Sequence, residues 1–300
     1  MGKLVMYRFL LLLSGFIFLS PAGCVGAGKT LPLVRTGAED QTRFPVIQGG
    51  LEPLRVVELF SEAVDICADG RRVLVLEGSG TRVLAFDSEF SVVETIPLTT
   101  LLVTPRGIYA DRYYIYVYDD RTLYRLTKDK LVMSAWLNNV RVEGLATFAP
   151  GEMLVSDGER QVVWFKTLFG ESRIFLDRSD LIKPKAMAVF PNGIFGVLND
   201  GNRLLKVNRA GIVVKSLPVP NGVNLLAVDN KGNPMVMRRG ERMVWSVGEK
   251  VTAGYELNRA ANPLALTVIL NRLAVLDGGR RILVYSLPGT DGSRFPVPGS

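Results

Sequence analysis

The stretch with the most explicit chemistry is Gly23-Cys24-Val25-Gly26-Ala27-Gly28-Lys29-Thr30, which satisfies the phosphate-binding pattern G-x-x-x-x-G-K-[ST]. In that chemistry glycine N–H groups cradle phosphates, the lysine reaches the terminal ones and the threonine hydroxyl holds Mg²⁺. It works only where a strand enters the loop and a helix leaves it. Here the preceding residues are an apolar run ending in Ser20-Pro21. The following ones, from Leu31 to Asp40, contain Pro32 and Gly37 and have no helical apolar period. Neither flanking element is encoded, so no nucleotide site is expected despite the match.

A different atom of the same stretch carries the chemistry. Lys3 and Arg8 precede an apolar run of eleven residues, Phe9 to Leu19, and small residues follow at Ala22 and Gly23. That is the layout of an export signal, and the run is too short for a membrane-spanning helix, which needs about 20 apolar residues. The ending Ala22-Gly23-Cys24 resembles the lipobox of bacterial lipoproteins. The resemblance implies cleavage before Cys24 and attachment of diacylglycerol to its sulfur. Pro21 stands where that family has leucine or another aliphatic residue, so cleavage after Ala22 or Ala27, giving a secreted soluble protein, is the alternative. The expected organisation is a signal peptide at 1–23, a flexible tether at 24–50 rich in Gly, Thr and charged residues, and a folded domain at 51–300. The expected location is the bacterial cell envelope, periplasmic or at the cell surface, with the chain held to the membrane through Cys24.

Composition narrows the function classes. The 300 residues contain no histidine, which removes the commonest general base, the usual catalytic zinc ligand and the Ser-His and Cys-His dyads. The net charge of +7 is spread along the chain without a block of like charges, so nucleic acid is not an expected partner. The other cysteine, Cys67, sits in an apolar strand-like run and reads as a small core residue.

The elements that must position any site come from a repeat. Six apolar runs, each before a polar turn, carry a valine in register: Val75, Val117, Val155, Val197, Val236 and Val275, at spacings of 42, 38, 42, 39 and 39. This is the length of a four-stranded propeller blade. An arginine opens the next run in every unit (Arg82, Arg121, Arg160, Arg203, Arg242, Arg281), and an apolar or aromatic residue closes it. Strand, turn, strand, Asp-Gly turn and strand follow in order, with a more polar fourth strand such as Ser91–Pro97 or Ile212–Pro218. The last unit lacks a good fourth strand because prolines flank Val297. Leu54–Phe60 is strand-like and has no unit of its own, so it is expected to close the ring from the N-terminal side. The fold class is therefore all-β, a six-bladed propeller of four-stranded antiparallel blades.

Ala85-Phe86 after Thr81-Arg82, Trp164-Phe165 after Glu159-Arg160, and Gly201-Asn202-Arg203 resemble the NHL-repeat family of six-bladed propellers over residues 60 to 287. Arg238-Arg239 departs from it by replacing the acidic turn. The resemblance implies a binding or scaffolding module. The family's few enzymes use histidine metal sites, which this chain cannot form.

The arginine ring reads as structural, each guanidinium bridging to an acidic turn such as Asp157 or Asp277. The links into the first strands are expected to line one mouth of the central channel. They carry Glu62, Arg106, Arg141, Glu143, Lys183, Lys185, Asn221, Asn224, Arg259 and Asn262, five bases against two acids. Arg106, Arg141, Lys183, Lys185 and Arg259 are the expected binding residues, for an envelope protein or an anionic glycan. No D-x-[DN]-x-[DN]-G loop occurs, so Asp119-Asp120 and Asp157-Gly158-Glu159 read as turns; no metal, cofactor or catalytic residue is assigned. The aromatic run Tyr113–Tyr118 reads as a packed strand. The expected function is non-enzymatic binding or assembly; the alternative is a propeller-type lyase or hydrolase using carboxylates and a metal at the channel mouth.

Overall fold

A computed structural model describes residues 46–177, 181–249 and 252–287. The described residues form an all-β, six-bladed propeller, and no α-helix occurs among them. Two strands precede the first blade: β1 (Val46–Leu51) and β2 (Pro53–Glu58). Blade one is β3 (Ala63–Asp69), β4 (Arg72–Glu77), β5 (Arg82–Phe86) and β6 (Val92–Pro97). Blade two is β7 (Gly107–Ala110), β8 (Tyr114–Tyr118), β9 (Thr122–Thr127) and β10 (Met133–Asn138). Blade three is β11 (Val142–Ala149), β12 (Glu152–Asp157), β13 (Val162–Lys166) and β14 (Ser172–Leu176). Blade four is β15 (Pro184–Val189), β16 (Phe195–Asn199), β17 (Arg203–Val207) and β18 (Val213–Pro218). Blade five is β19 (Leu225–Val228), β20 (Pro234–Met237), β21 (Met243–Val247) and β22 (Thr252–Leu257). Blade six is β23 (Pro263–Ile269), β24 (Arg272–Asp277) and β25 (Arg281–Ser286).

The six in-register valines all lie in second strands and are all 0% exposed. Their strands have a neighbouring blade on each face, which is why they read as unbroken apolar runs. The apolar clusters accordingly span blade interfaces. Ile66, Val73 and Val75 of blade one pack with Ala265, Ala274 and Leu276 of blade six, for example. Stability is thus distributed around the ring rather than held in one central core.

Closure occurs as expected. β2 pairs antiparallel with β25, setting Val57 opposite Ile282 and Glu58 opposite Arg281, and supplies the fourth strand of blade six. One strand was not anticipated. Residues 46–50, placed in the tether by sequence, belong to β1, which pairs parallel with β22 and makes blade five a five-stranded sheet. β1 buries almost no side chain; only Leu51 packs against the core. Backbone pairing rather than apolar alternation makes this strand, so hydrophobic periodicity could not reveal it. The signal segment and Cys24 lie outside the described residues.

Candidate channel-mouth and groove sites

First strands face one another around a central cavity of about 670 Å³. Small residues let them approach. A Cβ on Gly144 would lie 2.6 Å from the Met187 nitrogen, so blades three and four meet there only because residue 144 has no side chain. Ala68, Ala110, Val189, Val228 and Val268 line the cavity toward the far ends of their strands, while Glu62, Arg106, Glu143, Lys185 and Arg239 line the mouth where the strands begin.

Strand register defines one ring position per blade. Asp65 pairs with Leu76, Gly107 with Tyr118, Gly144 with Ser156, Ala186 with Leu198, Leu225 with Met237 and Ala265 with Leu276. Asp65 and Tyr118 depart furthest from the small and aliphatic residues of the other blades, and they sit in adjacent blades. Asp65 is the one ionisable group on the inner side of that ring. Its Oδ1 accepts the Ile66 N–H at 2.9 Å and its Oδ2 accepts the Ile108 N–H at 2.9 Å, tying blade one to blade two. Burial pushes its carboxyl up to about 6, against the opposing pull of the Ile108 N–H, the Arg239 guanidinium and the Ile66 N–H.

Tyr118 stands where other blades have Leu, Ser or Met. Its ring lies over Gly107, and its hydroxyl makes no hydrogen bond among the described residues. Burial raises its pKa, the Asp65 charge adds to that, and Arg106 and Arg239 oppose it. The aromatic run containing it therefore divides in use. Tyr116 is buried and donates to Asp111 Oδ2 at 3.0 Å, as a packed strand requires, whereas Tyr118 turns to the channel. Arg239, from the turn between β20 and β21, belongs to the same mouth. Its backbone N–H donates to Asn224 Oδ1 at 2.9 Å, and its guanidinium has no carboxylate within 4.0 Å among the described residues.

The channel is not basic. Arg106, Lys185 and Arg239 are matched by Glu62, Asp65 and Glu143. The excess positive charge lies beside the mouth, in a groove of about 710 Å³ between blades two and three lined by Arg106, Arg121, Arg141 and Arg160 together with Asp120 and Glu159. Arg106 is held loosely, 3.6 Å from Asp120 and 3.9 Å from Glu143, and Arg141 Nε donates to Glu143 at 3.0 Å.

The arginine ring is structural in three blades. Arg82 pairs with buried Glu77, Arg160 with buried Asp157 at 2.7 Å, and Arg281 with buried Asp277 at 2.7 Å. Blade two differs. Asp119 Oδ1 accepts the backbone N–H groups of Arg121 and Thr122, and the Arg121 guanidinium has no ion pair among the described residues. One member of the ring is thereby released into the groove.

Of the expected binding residues, Arg106 and Lys185 line the channel and Arg141 lines the groove. Lys183 and Arg259 are exposed, line neither cavity and hold left-handed backbone at φ 47° and 66°; the Arg259 carbonyl accepts from Arg281. Both serve turns, so the five bases do not converge. Asp65, Tyr118, Arg121 and Arg239 were missed as site residues. The repeat alignment holds a trace of them, in the tyrosine among aliphatics and the double arginine in place of an acidic turn.

The same links expose large apolar groups: Phe60 is 100% exposed and Val103 83%, with Leu101 and Ile182 also open to solvent. Cys67 is buried against Leu74 and Leu76, and burial raises its thiol pKa, which keeps it protonated and unreactive. Among the described residues no group of three or more His, Cys, Asp or Glu is arranged to hold a metal.

No protein-family profile and no curated protein matches the sequence. Solved structures match in fold. A catalytically inactive histidine-to-alanine variant of virginiamycin B lyase from Staphylococcus aureus, with quinupristin, superposes with a TM-score of 0.57 at 11% identity, over 79% of this chain and 89% of the lyase. The WD40 propeller domain of Doa1 gives 0.59 at 12% identity, over 79% of this chain and 97% of that one. YCF48 bound to D1 peptide gives 0.53 at 16% identity, over 76% and 78%. At these identities the likeness is one of fold: the chain is a β-propeller.

Proposed function

We propose that this protein is an exported, lipid-anchored, non-enzymatic binding module of the bacterial envelope, and that its partner is a protein presenting acidic side chains to the mouth face. The observation that carries the reading is the groove between blades two and three. Four guanidiniums line it, and while Arg106, Arg141 and Arg160 pair with Asp120, Glu143 and Asp157, the Arg121 guanidinium has no acidic partner among the described residues. Arginine's planar fork suits bidentate binding of carboxylates, and a concave basic surface steers an acidic partner. The exposed Phe60, Val103, Leu101 and Ile182, on the links into blades one, two and four, supply apolar anchors. Such anchors carry binding energy in protein interfaces while rim charges set rate and orientation. A glycan offers carboxylates but little to bury against Phe60.

The competing reading, a lyase or hydrolase using carboxylates and a metal, draws on the lyase likeness, which is one of fold. The lyase variant described as catalytically inactive has lost a histidine, and this chain has none.

Crosslinking and capture from envelope membranes, comparing the wild type with R106Q/R121Q/R141Q, tests the partner reading. The expected result is loss of an acidic protein partner by about tenfold in the variant, with capture by the wild type weakening as salt rises. Equal recovery, or retention of a carboxylated glycan in its place, overturns it. Fractionation of Cys24→Ala tests the anchor separately: the substitution is expected to move the protein from membranes to the soluble fraction.

A further inference from the structure

We propose that the channel holds a second site, for a free α-amino acid with an apolar side chain, its ammonium on Asp65 and its carboxylate on Arg239 and the Tyr118 hydroxyl. The site does not depend on the partner reading, because none of these three residues lines the arginine groove.

Each group lacks something such a ligand supplies. The Asp65 carboxylate spends one lone pair per oxygen on the Ile66 and Ile108 N–H groups, leaving acceptor capacity toward the cavity it lines. Among the described residues no cation lies within 4.0 Å of it, and burial raises its carboxyl to about 6 despite the opposing pull of Arg239. The Arg239 guanidinium has no carboxylate within 4.0 Å among the described residues, and the Tyr118 hydroxyl is a donor without an acceptor. Both line the same cavity close enough to Asp65 for their charges to couple, because ring closure sets blade five opposite blade two and one blade away from blade one.

A ligand bearing one charge would answer only one end and leave the other imperfectly solvated. A zwitterion answers both. Beyond the charged ring the cavity walls are Ala68, Ala110, Val189, Val228 and Val268, which suit an aliphatic or aromatic side chain, and about 670 Å³ is ample for one amino acid. The symmetry of the ring argues the same way. Five blades place Gly, Ala or Leu at the Asp65 position, and blade two accepts a tyrosine only by having glycine at residue 107. The Asp65 tie to Ile108 uses one oxygen lone pair, and the other blades close without an acid or a tyrosine at these positions.

Calorimetric titration of the full protein with leucine, leucinamide and 4-methylpentanoate, repeated with methionine and phenylalanine, tests the site. Leucine is expected to bind, and leucinamide and 4-methylpentanoate, each lacking one charge, to bind at least about tenfold more weakly. Asp65→Asn and Arg239→Gln are each expected to cost leucine about tenfold or more, and Tyr118→Phe severalfold. Lowering pH through about 6 should weaken leucine binding as Asp65 takes up a proton, in the setting of Arg239, Tyr118, Cys67, Arg106 and Glu143 around it. Arg239 is exposed and supports no packing, so R239Q remains informative should D65N fold poorly. Absence of binding by all three amino acids at about 10 mM overturns the proposal, as does equal binding of leucinamide, or wild-type leucine affinity in R239Q.

Discussion

The Tyr118 hydroxyl fills the space that a side chain at Gly107 would need: a Cβ built on Gly107 falls 2.1 Å from the Tyr118 oxygen and 2.2 Å from its Cζ. The pair faces across neighbouring strands of blade two, and the tyrosine reaches the channel only over a residue with no side chain. Gly107→Ala must therefore displace the ring. It is expected to destabilise the protein by about 1–3 kcal/mol, the usual cost of overpacking. Adding Tyr118→Leu, the residue that blades one, four and six carry there, should restore most of that loss in a double-mutant cycle followed by denaturant unfolding.

The conserved look of the arginine ring conceals two energetic classes. Asp277 is 2% exposed and accepts the Ala261 and Asn262 N–H groups at 2.9 and 2.6 Å as well as the Arg281 guanidinium. Asp277→Ala is expected to cost about 3–5 kcal/mol, since it strands a guanidinium and two N–H groups together. Arg121→Ala, by contrast, breaks no ion pair and should stay within about 0.5 kcal/mol. Thermal unfolding of the two variants side by side checks the contrast, and a large loss for Arg121→Ala would contradict its assignment to the groove.

Asp65 makes stability depend on pH in an unusual direction for a carboxylate. Its folded pKa of about 6 lies above the ordinary aspartate range, so the folded protein binds this proton more tightly than the unfolded chain. The stabilising contribution is fully present below about pH 4 and is lost as pH rises through about 6, by at most on the order of 2–3 kcal/mol. The stability difference between wild type and Asp65→Asn, measured from pH 4 to 7, should therefore shift against the wild type as pH rises. A flat difference would mean that the carboxyl is not held away from solvent.

Ring closure predicts unequal roles for the two strands before blade one. Removing residues up to 51 deletes β1, which buries little beyond Leu51, and should leave cooperative unfolding with a loss of about 1–2 kcal/mol. Removing residues up to 58 deletes β2 as well. Blade six then loses its fourth strand and the packing of Val57, so unfolding should become broad and the protein prone to association through the bared β25 edge. Circular dichroism melts and sedimentation of the two truncations distinguish these outcomes.

The amino-acid sequence by itself determined the architecture. Six valines at near-constant spacing, each at the centre of an unbroken apolar run, demand strands covered on both faces, and only a closed ring of blades covers all six. A strand without a unit near Val57, and a last unit without a fourth strand, likewise encode the closure. These are local periodicities, legible because burial acts residue by residue along each strand. Even so, β1 escaped, since backbone pairing leaves no apolar pattern.

The site was decided by tertiary structure. The sequence placed Arg106, Arg141, Lys183, Lys185 and Arg259 in the right links, but the direction a side chain takes from a link depends on the turn that holds it. Left-handed turns at Lys183 and Arg259 carry those two away, while Asp119 spends its carboxylate on backbone and sends Arg121 into the groove. Asp65 and Arg239, remote in the chain, line one cavity only because ring closure brings blade five back to within one blade of blade one. Charge balance in a cavity is a property of that closure, and so the basic mouth expected from a list of loop residues resolves into a balanced channel beside an arginine groove.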